Sequence, residues 1–344
     1  MNIADMGDII NGRERGMKVL FVAGRWAQDV ERSDRLKELR KLAEVEITDS
    51  SDVQTLKEKA KDVDIIITGA PITAEIIKAA RKLKMIQTTS IGYEYIDEDA
   101  VAANGVIICN VAGTNANSVA ELCFGMILDL ARRISAHNRL MREGGWGRVD
   151  FERQVEIRHG TIGIIGLGAI GSRMAQIAKN AFDMSILAYD PYITEARAEL
   201  FGAKLVDLHM LMKESDVITV HVPLNKETRR MIGEKELRLM KPTAIFVNAA
   251  RGPIVDEQAL IKVLSEKKIS GACLDVYEIE PLPKESPLRK LDNVSLVPHI
   301  GSTPHMLSCM REVAVGNVIR VVRGQMPMNI QTPETYYSSS KWAK

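Results

Sequence analysis

The sequence predicts an α/β protein that contains two doubly wound parallel sheets. Short β-rich runs alternate with helical patterns along most of the chain from residue 17 onward. Each parallel connection needs a crossover element, so this alternation indicates parallel strands covered by helices on both faces. A length of 344 residues is enough for two medium domains, each with a substantial core.

The predicted elements fall into two series, separated by a long apolar helix. The helix is expected to start at Asn117 as its N-cap and to end near Arg133. A last helix is predicted from about Pro304 to Arg323, and the tail beyond Gly324 is expected to be irregular. The predicted strands lie at 19–22, 45–47, 64–68, 85–88 and 106–109 in the first series, and at 161–165, 185–189, 204–206, 217–220, 244–247, 271–274 and 294–297 in the second.

Composition and charge exclude several classes of protein. Apolar residues make up 46% of the chain and charged residues 26%, which is the balance of a globular protein. The net charge is +1 and no basic block is present, so we expect no nucleic-acid partner. The most apolar long stretch, 119–131, is interrupted by Glu121 and Asp129 and is too short to span a bilayer.

The cysteines and the N-terminus indicate an intracellular location. The four cysteines lie far apart without CxxC spacing, so neither a metal site nor a disulfide framework is expected, and a cytoplasmic location is favoured. Residues 1–16 lack the apolar core of a secretory signal and are expected to form a loose N-terminal extension.

A GxGxxG turn follows the first strand of the second series and opens a helix. Gly166 permits the tight turn, Gly168 lets backbone N–H groups approach a pyrophosphate, and Gly171 lets helix and strand pack closely. Ala169 and Ile170 complete the turn, at a helix N-terminus that carries partial positive charge. The alternative is a glycine-rich turn that binds no ligand, which the strand and helix around it disfavour.

Asp190 strengthens the case for a dinucleotide and favours NAD over NADP. It ends the next predicted strand, nineteen residues after Gly171, where a carboxylate can accept hydrogen bonds from ribose hydroxyls. The same charge repels a 2′-phosphate. Residues 189–191 contain no arginine that could bind such a phosphate.

Three later strand ends carry side chains suited to hydride-transfer chemistry. Arg251, Glu280 and His299 each follow a predicted strand, at the sheet edge where open α/β sheets bind ligands. Each also has an ordinary structural interpretation: Arg251 as part of a surface ion pair, Glu280 as a solvated loop acid and His299 as a turn residue. Together they provide a carboxylate anchor and an acid–base pair beside a nicotinamide site.

At this point the sequence resembles the D-isomer-specific 2-hydroxyacid dehydrogenases, a family that includes phosphoglycerate dehydrogenases and glyoxylate or hydroxypyruvate reductases. The resemblance covers nearly the whole chain. It is carried by the motifs GIIGLGAIG, VHVPLNKETRRMIG, MKPTAIFVNAARGPIVDEQAL, DVYEIEPLP and VPHIGS. Ser90, Glu94 and Tyr95 depart from the family's usual substrate loop, which puts the size and polarity of the substrate in doubt.

The resemblance implies a role for each matching residue. Arg251 would bind the substrate carboxylate, His299 would act as general acid or base, and Glu280 would pair with it. Backbone amides at Ile91 and Gly92 would also hold the carboxylate. The cofactor would be lined in addition by Val222, Pro223, Ala249, Ala250, Asp275 and Gly301.

The resemblance also implies an architecture. A Rossmann NAD-binding domain, residues 113–301, would be inserted into a flavodoxin-like substrate domain formed by 17–112 and 302–335, with a hinge near Gly113 and Gly301. The family is usually dimeric, and the apolar helix from Asn117 is expected to provide a homodimer interface. No regulatory domain is expected after Lys344.

The expected activity is NAD-dependent interconversion of a small 2-hydroxy acid and its 2-keto acid. A formate or phosphite dehydrogenase on the same scaffold is a second enzyme interpretation, although no long N-terminal insertion of the kind that favours formate is evident. An NAD-sensing, corepressor-like binding protein is an alternative of a different class.

Overall fold

The structure is a computed structural model, and it describes residues 16–24 and 31–342. The first fifteen residues, assigned from the sequence to an N-terminal extension, lie outside the described part of the chain. The described residues divide into two compact units. One unit runs to Thr114 and resumes at Pro304, and the other is continuous from Asn115 to Thr303.

The discontinuous unit contains a five-stranded parallel sheet in the order β2-β1-β3-β4-β5, which is the flavodoxin-like order. The sheet buries both faces of its inner strands, as in β3, where all four residues are buried, whereas the edge strand β2 is partly exposed. The strands are β1 Lys18–Val22, β2 Glu44–Thr48, β3 Ile65–Thr68, β4 Met85–Thr88 and β5 Ile107–Cys109. The helices are α1 Asp34–Leu42, α2 Val53–Ala60, α3 Ala74–Ala79 and α4 Glu98–Ala103.

The continuous unit contains a seven-stranded parallel sheet in the order β12-β11-β10-β9-β6-β7-β8. Counted from its first strand, this is the Rossmann order extended by one strand, with the switch point between β6 and β9. The strands are β6 Thr161–Ile165, β7 Ser185–Tyr189, β8 Ala203–Leu205, β9 Val217–Val220, β10 Ile245–Asn248, β11 Gly271–Leu274 and β12 Val294–Leu296. The predicted fold class, two parallel-sheet α/β domains, is confirmed.

Helices of the continuous unit cover both faces of its sheet. Several of them begin at an acidic or hydroxyl N-cap; Asp256, for example, accepts the backbone N–H of Ala259 at 3.1 Å. The helices are α5 Ala116–Arg132, α6 Ile134–Arg142, α7 Ala169–Phe182, α8 Glu195–Glu199, α9 Leu208–Glu214, α10 Glu234–Leu237 and α11 Glu257–Ser265, with 3₁₀ turns at Phe151–Arg153, Gly252–Ile254 and Pro287–Lys290.

Helix α5 differs from the sequence prediction at its start and in what covers it. Asn115 is the N-cap, so the assignment of Asn117 was wrong, and the helix ends where Arg133 adopts φ 54°. Its apolar residues pack against α7, β10, β11 and β12 of the same unit. The apolar character of this helix is therefore explained by the core of its own unit and does not require an oligomer interface.

The chain returns to the first sheet through α12 Pro304–Val322, followed by α13 Pro333–Ser338 and a 3₁₀ turn at Ser340–Trp342. The prediction of an irregular tail was thus wrong for its last part. Asn317 of α12 is buried and donates to the Gln87 side chain at 2.6 Å and to the Met328 carbonyl at 3.0 Å. These bonds satisfy its amide and attach the returning helix to β4.

No helix of the described residues has the length and apolar character needed to cross a membrane.

Candidate active site

The three glycines of the 166–171 turn have three different environments. Gly166 has φ +92°, which favours glycine, and Gly171 is so close to the Gly166 carbonyl that a Cβ would lie 2.1 Å from the oxygen. A Cβ on Gly168, in contrast, would meet no atom within 4 Å. The middle glycine therefore leaves open space in front of the N-terminus of α7. This is where a pyrophosphate would have to approach the backbone, so the turn fits a dinucleotide.

Asp190 lies at the carboxyl end of β7 and fastens this turn. Its Oδ2 atom accepts the backbone N–H of Leu167 at 2.9 Å, and its Oδ1 atom accepts that of Tyr192 at 3.0 Å. The half-buried carboxylate thus lies beside Leu167 of the turn, as a ribose-binding group requires.

His221 and Val222 lie at the carboxyl end of β9, against Gly166. A Cβ on Gly166 would approach Val222 Cγ1 at 2.8 Å and the His221 backbone at 2.9 Å. The His221 Nε2 atom is 2.8 Å from Thr219 Oγ1, while its buried Nδ1 has no partner among the described residues. Burial lowers the pKa of His221 to about 3, so the ring is neutral near pH 7 and cannot serve as the general acid there.

Arg251 follows β10 in a loop that Asn248 orders. The Asn248 side chain accepts the backbone N–H of Ala250 at 3.1 Å and donates to the Arg251 carbonyl at 3.0 Å. Arg251 Nη1 donates to the Ala250 carbonyl at 2.8 Å. These contacts fix the backbone at the start of the loop that carries Arg251, at the carboxyl edge of the sheet.

Gly252 brings this loop against the loop that follows β11. A Cβ at Gly252 would lie 1.9 Å from the Tyr277 carbonyl oxygen, so no other residue fits there without backbone movement. Because β10 and β11 are neighbours, this approach puts the loops carrying Arg251 and Glu280 side by side. The Gly-Pro pair after Arg251 was the only sequence signal for it.

His299 and Glu280 form a hydrogen-bonded pair. His299 Nδ1 is 2.8 Å from Glu280 Oε2, and Glu280 Oε1 accepts the backbone N–H of Tyr277 at 3.1 Å. The two side chains are 49% and 37% exposed, so solvent still reaches both. With Nδ1 directed to the carboxylate, Nε2 is the ring atom left to exchange a proton with a substrate.

Asp275 holds the loop that presents His299. Its carboxylate accepts the backbone N–H of Ile300 at 2.6 Å and of Gly301 at 3.1 Å, and its carbonyl accepts that of His299 at 2.9 Å. These bonds stabilise His299 at φ 54°, a conformation rare for a residue with a side chain. Asp275 is 1% exposed, and burial raises its pKa above the usual 3.8. Sequence reasoning assigned Asp275 to the cofactor and missed this positioning role.

Ile91 and Gly92 belong to the other unit, in the loop after β4. The Ile91 carbonyl accepts from Asn110 Nδ2 at 2.8 Å, and the Gly92 carbonyl accepts from Ser90 Oγ at 2.8 Å. Within the described part of the chain, the backbone N–H groups of Ile91 and Gly92 have no hydrogen-bond acceptor. Two amides without acceptors in one loop are suited to an anion.

No group of three or more possible metal ligands occurs among residues 16–24 and 31–342.

Fold and site together define a class: a two-unit α/β protein whose Rossmann unit has a dinucleotide turn and, on the same sheet edge, an Arg, a Glu and a His. The profile described as "D-isomer specific 2-hydroxyacid dehydrogenase, NAD binding domain" matches residues 124–301. The chain belongs to the D-isomer-specific 2-hydroxyacid dehydrogenase family, a family of NAD-binding oxidoreductases.

Curated relatives agree with this assignment. The chain is 40% identical over 301 residues to the D-3-phosphoglycerate dehydrogenase of Methanocaldococcus jannaschii, covering 86% of this chain but only 57% of that protein. It is 40% identical over 284 residues to the glyoxylate reductase of Korarchaeum cryptofilum, covering 80% of this chain and 85% of the relative. The chain thus spans little more than half of the first relative's length.

Solved structures agree as well. A glyoxylate reductase from Paecilomyes thermophila aligns with a TM-score of 0.83 at 27% identity, covering 93% of this chain and 100% of that one. An acyclic imino acid reductase in complex with NADPH and D-Arg aligns with a TM-score of 0.80 at 29% identity, covering 91% and 99%. The second of these structures contains NADPH, so a protein with this fold binds a dinucleotide.

Proposed function

We propose that this protein interconverts a small D-2-hydroxy acid and its 2-keto acid with NAD as cofactor. The observation that supports this most is the 2.8 Å contact between His299 and Glu280 at the carboxyl edge of the sheet that also carries the dinucleotide turn. An imidazole held by a carboxylate can give or take a proton at Nε2.

In the reducing direction, protonated His299 donates its Nε2 proton to the carbonyl oxygen, and Glu280 stabilises the imidazolium through Nδ1. Bound NADH supplies the hydride that the carbonyl carbon receives. Arg251 binds the substrate carboxylate and polarises the keto group. In the oxidising direction, neutral His299 takes the hydroxyl proton at the same nitrogen.

The backbone amides of Ile91 and Gly92 are proposed to hold the substrate carboxylate, because both lack acceptors within the described chain. Val222, Pro223, Ala249, Ala250 and Gly301 are proposed to line the cofactor, since all five lie at the carboxyl ends of strands of the seven-stranded sheet or in the loops that follow them.

The decisive measurement is the decrease in NADH absorbance with glyoxylate, hydroxypyruvate and phosphohydroxypyruvate, each tested alone. Glyoxylate and phosphohydroxypyruvate follow from the relatives, which are named glyoxylate reductase and D-3-phosphoglycerate dehydrogenase. Hydroxypyruvate follows from the family resemblance of the sequence. We expect turnover with at least one. NADH binding without turnover of any of them would favour the corepressor-like alternative. Reduction of NAD by formate or phosphite would favour the other enzyme class.

We also propose a cytoplasmic homodimer. With α5 covered by its own unit, the remaining support is the group of exposed apolar side chains that follows it: Ile134, Met141, Trp146 and Phe151. Light scattering during size-exclusion chromatography measures the mass directly. A monomer at micromolar concentration would contradict the proposal.

A further inference from the structure

Tyr192 and Glu227 join two loops at the dinucleotide end of the Rossmann unit. The Tyr192 hydroxyl donates to Glu227 Oε2 at 2.7 Å. Tyr192 belongs to the loop after β7 and Glu227 to the loop after β9, and these two strands flank β6 in the sheet. The contact therefore spans the carboxyl end of β6, which carries the 166–171 turn.

Tyr192 is fixed at both ends. Its backbone N–H donates to Asp190 Oδ1 at 3.0 Å, and its hydroxyl is held by Glu227, yet the residue is 80% exposed. The bond to Glu227 also raises the pKa of the phenol, so the hydroxyl stays a donor. An aromatic ring held in this way presents a flat face to solvent beside the proposed ribose-binding carboxylate.

Glu227 is held by an ordered turn. Asn225 Oδ1 accepts the backbone N–H groups of Glu227 and Thr228, both at 2.9 Å, and Thr228 Oγ1 donates to the Pro223 carbonyl at 2.6 Å. The carboxylate that receives the Tyr192 hydroxyl is thus placed by the loop and does not depend on Tyr192 alone.

We propose that Tyr192 and Glu227 form the outer wall of the adenosine subsite. The Tyr192 ring packs on the adenosine of the bound dinucleotide, and the Glu227 carboxylate acts with Asp190 to disfavour a 2′-phosphate. Lys226 and Arg229, on the same turn, are exposed cations that attract a 2′-phosphate. The net preference for NAD over NADP therefore depends on the Glu227 carboxylate.

This inference rests on the dinucleotide site and not on which 2-keto acid is reduced. It is tested by the affinity for NADH and NADPH, measured from nucleotide fluorescence without substrate. If binding is intact and turnover is absent, the proposed activity fails while this inference stands.

The variants separate the ring from the charge. Tyr192→Ala should weaken NADH binding about tenfold, the scale of one base–aromatic stack. Tyr192→Phe keeps the ring and should weaken it only about threefold, as expected for an exposed hydrogen bond. Glu227→Gln keeps an acceptor for Tyr192, so NADH affinity should stay within about twofold, whereas NADPH affinity should rise about threefold to fivefold at low salt.

Glu214→Gln is the matched control. It removes the same charge at the end of α9, just before β9, so it lies at the opposite edge of the sheet. The increase in NADPH affinity of Glu227→Gln should be smaller at high ionic strength, because salt screens exposed charges. The inference is overturned if Tyr192→Ala binds NADH like the wild type. It is also overturned if Glu214→Gln changes NADPH affinity as much as Glu227→Gln does.

Discussion

Gly252 lies so close to Tyr277 that a Cβ on the glycine would be 1.9 Å from the carbonyl oxygen of the tyrosine. This approach joins the loop of Arg251 to the loop of Glu280. The arrangement of the candidate catalytic residues therefore depends on a position that carries no side chain.

We expect Gly252→Ala to be more damaging than an ordinary glycine replacement in a loop. The new methyl group must displace backbone, which costs about 2 kcal/mol or more of unfolding free energy and separates the two loops. Chemical denaturation and turnover would both be measured. Gly233→Ala is the control, because a Cβ there meets only the end of a flexible Glu236 side chain at 3.5 Å. Equal losses in the two variants would contradict the role of the close approach.

The second and third glycines of the dinucleotide turn provide a second contrast. Gly171→Ala should destabilise the fold, since its Cβ would lie 2.1 Å from the Gly166 carbonyl oxygen. Gly168→Ala should fold normally, because its Cβ meets open space, yet bind NADH at least about tenfold more weakly, because the methyl group fills the pyrophosphate approach. Thermal unfolding and NADH titration test this pair. Unchanged NADH affinity in Gly168→Ala would argue against a dinucleotide at this turn.

His299→Asn should lower turnover by about 10²- to 10⁴-fold while NADH affinity stays nearly constant, because it removes the proton donor and leaves the turn intact. Glu280→Gln should lower turnover less, since the His299 ring is retained but an amide holds its Nδ1 atom less firmly than a carboxylate does. Steady-state rates at saturating NADH would compare the two variants. A parallel loss of NADH affinity in His299→Asn would contradict its assignment to proton transfer.

Asp275→Asn tests the positioning of His299. Asparagine can accept one of the two N–H groups from Ile300 and Gly301, but its own NH₂ then faces the other. We expect a loss of about 1–3 kcal/mol in unfolding free energy and a fall in kcat with little change in NADH affinity. Unaltered kcat would show that the loop stays in place without the carboxylate.

The same residue predicts a pH dependence of stability. Its pKa is raised in the folded state from 3.8, mainly by burial. The unfolded chain therefore releases this proton at lower pH, and the folded protein loses stability as pH rises from below 3.8 through the raised value. Asp275→Asn lacks this component, so the stability difference between wild type and variant should decrease over that interval. Denaturation midpoints between pH 3 and about pH 7 measure it.

Much of the fold could be predicted because parallel strands buried on both faces leave continuous apolar runs, as in residues 65–68. The neighbourhood of Arg251, Glu280 and His299 followed from placing each after a strand. The distances between these residues could not be predicted. They depend on the approach of Gly252 to Tyr277 and on the two hydrogen bonds to Asp275, which are set by loop backbones that have no sequence periodicity. The N-cap of α5 was missed because Asn115 and Asn117 have the same preference.

The return of α12 to the first sheet has a consequence for the order of events during synthesis. The unit from Asn115 to Thr303 is continuous, so it can fold while the rest of the chain is still being made. The first sheet is different, because Asn317 and Met328 complete its contacts through Gln87, far behind them in sequence. The unit whose strands are translated first is thus the unit that finishes folding last, because its sheet must wait for α12 to emerge from the ribosome.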